Sequence, residues 1–150
     1  MRALTICFLM AGFGLTAVAA ESRVKVEELP AAVQTSMKEH TKGATILGAS
    51  KEREHGRMIY EVETKLDGKS RDLSFDDKGS LLEVEQEVDL DSIPAPAKEA
   101  IQKKLPGATI KKVESVTHGS ITSYEADVRT KAGRNQEVAV NADGSAHTQN

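Results

Sequence analysis

The chain has 150 residues, of which 39% are hydrophobic and 3% aromatic, and its formal net charge is −3 at pH 7. This length allows at most two small domains, and the hydrophobic content suffices for an ordinary core. An acidic chain with three Phe, two Tyr and no Trp lacks the basic face and stacking aromatics of nucleic-acid-binding proteins, so we expect no nucleic-acid partner.

The first 20 residues are typical of a cleavable export signal. Arg2 precedes an apolar run from Ala3 to Phe13, and Val18 and Ala20 stand at the −3 and −1 positions of a cut after Ala20. This run is too short for a transmembrane helix. We therefore predict a signal peptide at residues 1–20, a periplasmic or secreted protein, and no stable membrane anchor after cleavage.

Cys7, the single cysteine, lies inside this apolar run. Removal of the signal leaves a mature chain with 19 basic and 23 acidic residues and no thiol. A thiol nucleophile, a disulfide framework and a cysteine-based zinc site are therefore all excluded. An export signal on a disulfide-free chain favours a bacterial periplasm or exterior.

One stretch occurs twice, 64 residues apart: LPAAVQTSMKEHTKGATI at 29–46 and IPAPAKEAIQKKLPGATI at 93–110. In the first copy Leu29, Val33 and Met37 recur every four residues, which predicts an amphipathic helix that Gly43 ends. The second copy repeats this apolar stripe with Ile93, Ala97 and Ile101. The sequence therefore predicts two equivalent helices.

Apolar and polar residues alternate after each helix, which predicts antiparallel strands. Tyr60 and Tyr124 are at equivalent positions in the two copies, and each is expected to point into a core. Asp67 and Gly68 make a hairpin turn, and a second turn, DDKGS, follows the next strand.

The predicted fold class is α+β. It consists of two tandem repeats, each with one helix packed on a four-stranded antiparallel meander, and together they form a coupled two-lobe domain. Repeat 1 occupies residues 21–90, with its core at 29–88, and repeat 2 occupies residues 91–150.

The stretch from Tyr60 to Glu85, YEVETKLDGKSRDLSFDDKGSLLEVE, resembles a PepSY-type domain. The resemblance lies in the Tyr-x-Val strand, the Asp-Gly-Lys turn and the Asp-x-x-Gly turn before a last apolar strand. The Leu-Pro helix ending in GATI, with its recurrence as Ile-Pro and PGATI, is similar to the tandem PepSY-like group related to β-lactamase inhibitor proteins. This resemblance spans about 29–145 and implies a secreted or periplasmic, non-enzymatic module with a helix-on-sheet fold that inhibits or senses exported proteins.

The side chains that alternate outward from the predicted sheets are charged. The inhibitor relatives grip their enzyme with an aromatic-rich concave sheet face, so none of their binding residues carries over to this face. We predict a partner-binding surface made of six charged residues: Glu61, Glu63, Lys65, Glu125, Asp127 and Arg129.

A row of carboxylates is compatible with a cation or a basic partner as its ligand. The row has an acidic residue at every second position: Glu83, Glu85, Glu87, Asp89 and Asp91. We favour a solvated strand face whose like charges discourage edge-to-edge aggregation.

The histidines are the remaining residues that could hold a metal. His55 and His118 lie in equivalent turns, but the sequence places no third ligand beside them. We interpret them, and the isolated His40 and His147, as exposed residues. No metal site and no cofactor is predicted.

The sequence also lacks the motifs of common catalytic sites. It contains neither a nucleophile elbow nor HExxH, so we predict no enzyme. The predicted function is an exported binding module that engages another periplasmic or secreted protein or peptide through its polar sheet faces. The alternatives are a cell-envelope sensor or buffer of a cation or small ligand, and a structural component of the envelope.

Overall fold

The computed structural model describes residues 21–104 and 106–147, so the predicted signal peptide lies outside the described residues. Short 3₁₀ turns at Val26–Glu28 and Leu90–Ser92 lead into two α-helices. In chain order, the strands and α-helices are β1 (Ser22–Val24), α1 (Ala31–His40), β2 (Thr45–Glu54), β3 (Arg57–Leu66), β4 (Lys69–Asp76), β5 (Leu81–Glu87), α2 (Ala95–Lys104), β6 (Thr109–His118), β7 (Ile121–Arg129) and β8 (Asn135–Asn141).

All eight strands belong to one antiparallel sheet whose spatial order follows the chain from β1 to β8. The prediction of two four-stranded meanders is therefore wrong, because the two repeats share one continuous sheet. Strand β5 pairs directly with β6, with Glu83 opposite His118 and Glu87 opposite Glu114. This pairing satisfies the backbone groups along the edge of β5, which separate lobes would leave open.

The two repeats contribute unequal numbers of strands. Strands β2 to β5 follow α1 as predicted, whereas among the described residues only β6, β7 and β8 follow α2. A single bridge between Val140 and Ala146 stands where a fourth strand of repeat 2 was expected. Strand β1, which pairs Val24 with Ala49, is additional to the predicted strands. It is three residues long, which is too short for its sequence to show an alternation of apolar and polar residues.

Both helices cover the same face of the sheet. In the helix of repeat 1, Val33 and Met37 are buried as the four-residue spacing predicts. Val84, beside the first core, is paired with Thr117, and Thr117 lies on the same side of β6 as Val113 of the second core. The helix-on-sheet prediction is thus confirmed for each repeat.

The core has two clusters, one under each helix. The cluster under α1 consists of Leu29, Val33, Met37, Ala49, Val62, Leu73 and Phe75. The cluster under α2 consists of Ile93, Ala97, Ile101, Val113, Ala126, Val128, Val138 and Val140. Tyr60 packs against the first and Tyr124 against the second, which confirms their predicted inward orientation. Among the described residues no helix is both long and apolar enough to cross a membrane.

Candidate functional site

The sheet face opposite the helices, here called the open face, is rich in carboxyl groups. It carries the side chains that alternate with the core residues of each strand. Across the middle of the sheet, Glu63 is opposite Asp72, and Asp72 is opposite Glu85. On the neighbouring strands β6 and β7, Glu114 is opposite Glu125.

The six predicted binding residues all belong to this open face, three on β3 and three on β7. Strands β4, β5 and β6 lie between the two groups, which puts them roughly 19 Å apart at about 4.8 Å per strand. Lys65, Asp127 and Arg129 are exposed, whereas Glu63 and Glu125 are half-buried.

Glu61 differs from the other five because it is only 7% exposed. The outward orientation of this charged side chain therefore does not make it accessible to solvent. Among the described residues no helix covers the open face, so the neighbouring side chains of the same face reduce the solvent exposure of Glu61. Burial, followed by the negative charge of Asp72, raises the pKa of Glu61 to about 8. Within the described residues its carboxyl group has no hydrogen bond and no ion pair.

Three further carboxylates, which we call the acidic triad, meet between the two predicted groups. One oxygen each of Asp72, Glu85 and Glu114 lies within 4.8 Å of the others. Burial, with the charges of Glu114 and Glu83, raises the pKa of Glu85 to about 9. Burial also raises the pKa of Asp72 to about 6, although the backbone N–H of Thr64 donates to its Oδ1 over 3.3 Å and opposes that shift.

The sequence did not predict that the three residues of the acidic triad lie close together. Glu85 belongs to the predicted carboxylate row, and Asp72 alternates along its strand with the core residues Leu73 and Phe75. Glu114, however, reaches them only through the pairing of β5 with β6. The only available signal was the alternation itself, which places all three residues on one face but gives no register between the repeats.

Two cations approach the centre of the open face. Lys112 Nζ lies 2.8 Å from Glu114 Oε2, with side chains 21% and 12% exposed. Burial lowers the pKa of Lys112, but the hydrogen bond to Glu114 and the negative charges of Glu114, Asp127 and Asp72 together outweigh burial, so the pKa is raised overall. Arg23 Nη1 lies 2.7 Å from Glu63 Oε1. The second oxygen of Glu114, Oε1, is buried and has no hydrogen-bond partner in the described part of the chain.

The predicted carboxylate row is shorter than expected. Glu83, Glu85 and Glu87 share the open face, but β5 ends at Glu87. Beyond the strand, Asp89 accepts a hydrogen bond from Lys69 over 2.7 Å and Asp91 accepts one from Lys98 over 2.6 Å. Because β5 lies inside the sheet, with β4 and β6 on its two sides, protection of a sheet edge does not explain the row.

The histidines do not converge. His55 lies in the turn after β2 with φ at +46°, and the exposed His118 ends β6, 3.8 Å from a Glu83 oxygen. His40 lies with its ring 6.3 Å from that of Phe75. The Nδ1 atom of His147 is 2.8 Å from the Asn141 side-chain oxygen.

The turn DDKGS is a hairpin, as predicted. Asp76 Oδ1 accepts hydrogen bonds from the backbone N–H groups of Lys78 and Ser80 over 3.0 and 2.8 Å. Gly79 has φ at +81°. The Asp76 carboxylate is therefore engaged in hydrogen bonds within the turn itself.

The family described as "Putative beta-lactamase-inhibitor-like, PepSY-like" matches the chain twice, over residues 15–83 and 60–146. Solved structures with a similar fold come from Bacteroides species. A Bacteroides eggerthii structure described as "putative periplasmic proteins" is 15% identical, with a TM-score of 0.65 over 81% of this chain and 87% of that one. A BLIP-like protein from Bacteroides fragilis is 18% identical, with a TM-score of 0.58 over 78% of this chain and 82% of that one.

A third structure, a DUF2874 family protein from Bacteroides uniformis, is 16% identical, with a TM-score of 0.63 over 78% of this chain and 85% of that one. At these identities the likeness concerns the fold alone. No curated protein matches the chain.

Proposed function

Because the chain belongs to the PepSY-like, beta-lactamase-inhibitor-like family, we propose that it is an exported, non-enzymatic binding module. Its partner is another periplasmic or secreted protein or peptide, which it engages through the open face. The family description and the predicted signal peptide support an exported binding role. The similar Bacteroides eggerthii structure, described as periplasmic, supports the location.

One observation indicates the chemistry of the partner: carboxyl groups crowd the centre of the open face. Glu61 and Asp72 are 7% and 6% exposed, and mutual repulsion contributes to the raised pKa values of Glu61 and Glu85. A positively charged segment of a partner would relieve this repulsion, and a negatively charged one would increase it. We therefore propose a Lys- or Arg-rich segment as the partner's contact.

Two charges at the β7 side of the face, the half-buried Glu125 and the exposed Asp127, are suitable for a test. A Glu125→Lys, Asp127→Lys double variant reverses two charges on the open face. A Glu39→Lys, Glu99→Lys variant makes the same change in net charge on the two helices, where both residues are exposed. Binding of a fluorescent Lys/Arg-rich peptide, and competition of that peptide with proteins captured from a periplasmic extract, would be measured for all three proteins in EDTA.

We expect the open-face variant to bind the basic peptide at least tenfold more weakly, and the helix variant to bind within about twofold of the unmodified protein. The peptide should also displace the captured proteins, whereas an acidic peptide of the same length should not. Equal binding by the two variants, or no binding of the basic peptide, would contradict the proposal.

The second candidate function is a cell-envelope sensor or buffer of a cation. The mutual approach of Asp72, Glu85 and Glu114 is the specific observation that favours it. Its test is a titration with the ion itself, which does not depend on a protein partner.

A further inference from the structure

We infer that repeat 2 carries a binding site for a free, medium-chain fatty acid in its anionic form. The site is a cavity between the last turn of α2 and the sheet, close to the start of β6. It lies on the helix side of the sheet, away from the open face, so the inference goes beyond the proposed binding of another protein.

The cavity has apolar walls and a polar mouth. Six residues line it: Ile101, Gln102, Gly107, Ala108, Ile110 and Val128. The four apolar residues belong to the core under α2 or pack against it. Gln102 and Gly107 are exposed and therefore mark the mouth. This arrangement suits a ligand with an apolar body and one polar end.

The volume of the cavity, about 380 Å³, sets the size of the ligand. An apolar cavity of about 150 Å³ holds one benzene ring, so at the same density this one holds roughly 15 non-hydrogen atoms. Octanoate and decanoate, with roughly 10 and 12 such atoms, fit within that limit. The two acyl chains of a membrane phospholipid do not, and a free fatty acid is therefore the occupant we propose.

Lys131 provides a positive charge at the mouth. A Cβ atom built on Gly107 would lie 2.8 Å from Lys131 Nζ and still closer to Lys131 Cε. The lysine side chain thus crosses Gly107 and places its ammonium group beside the cavity. No described residue forms an ion pair with Lys131, so the ammonium group can bind a carboxylate. The amide of Gln102 offers a second donor at the same mouth.

Repeat 1 shows that the fold does not require a cation at this position. Gly43 is equivalent to Gly107, 64 residues earlier. The side chain that approaches Gly43 is apolar, since Leu66 Cδ1 would lie 4.0 Å from a Cβ built there. The lysine of repeat 2 therefore adds a charge where an apolar side chain suffices, and that charge selects an anionic ligand.

The experiment is calorimetric titration of the exported protein with octanoate and two analogues. 1-Octanol has the same tail without the charge, and butanoate has the same charge on a shorter tail. We expect one octanoate per chain and at least tenfold weaker binding of either analogue. Octanol lacks the ion pair with Lys131, and butanoate loses methylene groups that are each worth about fourfold in affinity when buried.

A variant that copies repeat 1 tests the role of the charge. Lys131→Leu should weaken octanoate binding at least fivefold and change octanol binding by less than about twofold, a contrast that partial unfolding cannot imitate. Lys42→Leu is the matched control, because Lys42 is an exposed lysine beside Gly43 of repeat 1. It should change the affinity for either ligand by less than about twofold.

A second variant tests the cavity itself. Ala108→Leu places additional carbon atoms inside it and should weaken the binding of octanoate and octanol alike, by at least tenfold. If Ala108→Leu does not fold, as judged by circular dichroism, Ile110→Phe replaces it.

Several results would overturn the site: no octanoate binding at millimolar concentrations, equal affinities for octanoate and octanol, or equal effects of Lys131→Leu and Lys42→Leu. Binding of phosphatidylglycerol vesicles without binding of octanoate would contradict a free fatty acid as the ligand. The peptide measurements on the open face use other variants and another ligand, so the failure of either proposal leaves the other intact.

Discussion

Gly79, in the turn between β4 and β5, lies directly against the backbone of Ala32 at the start of α1. A Cβ atom on Gly79 would lie 2.5 Å from the Ala32 carbonyl oxygen. The second repeat has the same relationship, since a Cβ on Gly144 would lie 2.6 Å from the carbonyl oxygen of Pro96. Each helix therefore packs directly against a turn, and only glycine fits in that turn at this distance from the helix backbone.

This contact predicts a position-dependent cost of adding one methyl group. Gly68 has φ at +83° and no atom within 4 Å of a built Cβ, so Gly68→Ala should cost only the left-handed backbone strain, about 1 to 2 kcal/mol. Gly79→Ala has similar strain at φ +81° and should lose about 1 to 3 kcal/mol more from overpacking. Urea unfolding of both variants measures the difference, and equal losses would show that α1 does not rest on this turn.

The pKa of Glu61 predicts that stability falls with rising pH. Its pKa is about 4.5 in the unfolded chain and about 8 in the folded one. Below pH 4.5 both states hold the proton, so the contribution of Glu61 is fully present. Between the two values only the folded state holds the proton, and the free energy of unfolding declines by about 1.4 kcal/mol per pH unit for this group.

Glu61→Gln cannot ionise, so its advantage over the unmodified protein should grow as the pH rises from about 5 to 8. Urea unfolding at several pH values in EDTA measures this trend. Glu54→Gln, at the end of β2 on the same face, is the control and should give a curve parallel to that of the unmodified protein. A parallel curve for Glu61→Gln as well would contradict the burial of Glu61.

The continuous sheet predicts that the two cores unfold together. Met37→Ala under α1 and Ile101→Ala under α2 each remove a side chain that is at most 3% exposed, and each should cost about 2 to 5 kcal/mol. Because β5 and β6 are paired, both variants should shift one common transition. Lys38→Ala and Gln102→Ala, at adjacent exposed positions, should change little. Separate transitions, each moved by only one variant, would indicate independent lobes.

Lys112 should stabilise the metal-free protein through its bond to Glu114. Lys112→Gln leaves a nearly buried carboxylate without its cation, so we expect a loss on the order of 1 to 3 kcal/mol in EDTA at pH 8. Lys111→Gln, an exposed neighbour, should have little effect. Thermal unfolding in EDTA measures the melting temperatures of both variants. An unchanged melting temperature for Lys112→Gln would show that this ion pair does not contribute to stability.

The sequence was sufficient for features that depend on local periodicity. The four-residue spacing of Val33 and Met37 predicted the buried side of α1, and the alternation around Tyr60 predicted which side of β3 enters the core. The glycine turns followed from their residue types. These features need only the geometry of a single helix or strand.

The acidic triad could not be predicted because it depends on pairing between distant segments. Glu85 and Glu114 are separated in sequence by all of α2, and nothing in either strand specifies which edge of the first repeat receives the second. The burial of Glu61 was missed for a related reason. Alternation assigns a side chain to a face, but the exposure of that face depends on how closely its neighbours crowd around it.

The strands follow one another in the sheet in the same order as along the chain, so the sheet can be extended at its end. Every strand pairs with the strand that precedes or follows it along the chain, and the step from β5 through α2 to β6 repeats the step from β1 through α1 to β2. A further copy could be appended beyond β8 without disturbing an existing pair. Duplication of one unit is therefore a sufficient route to this architecture, and the acidic triad arises only where two copies meet.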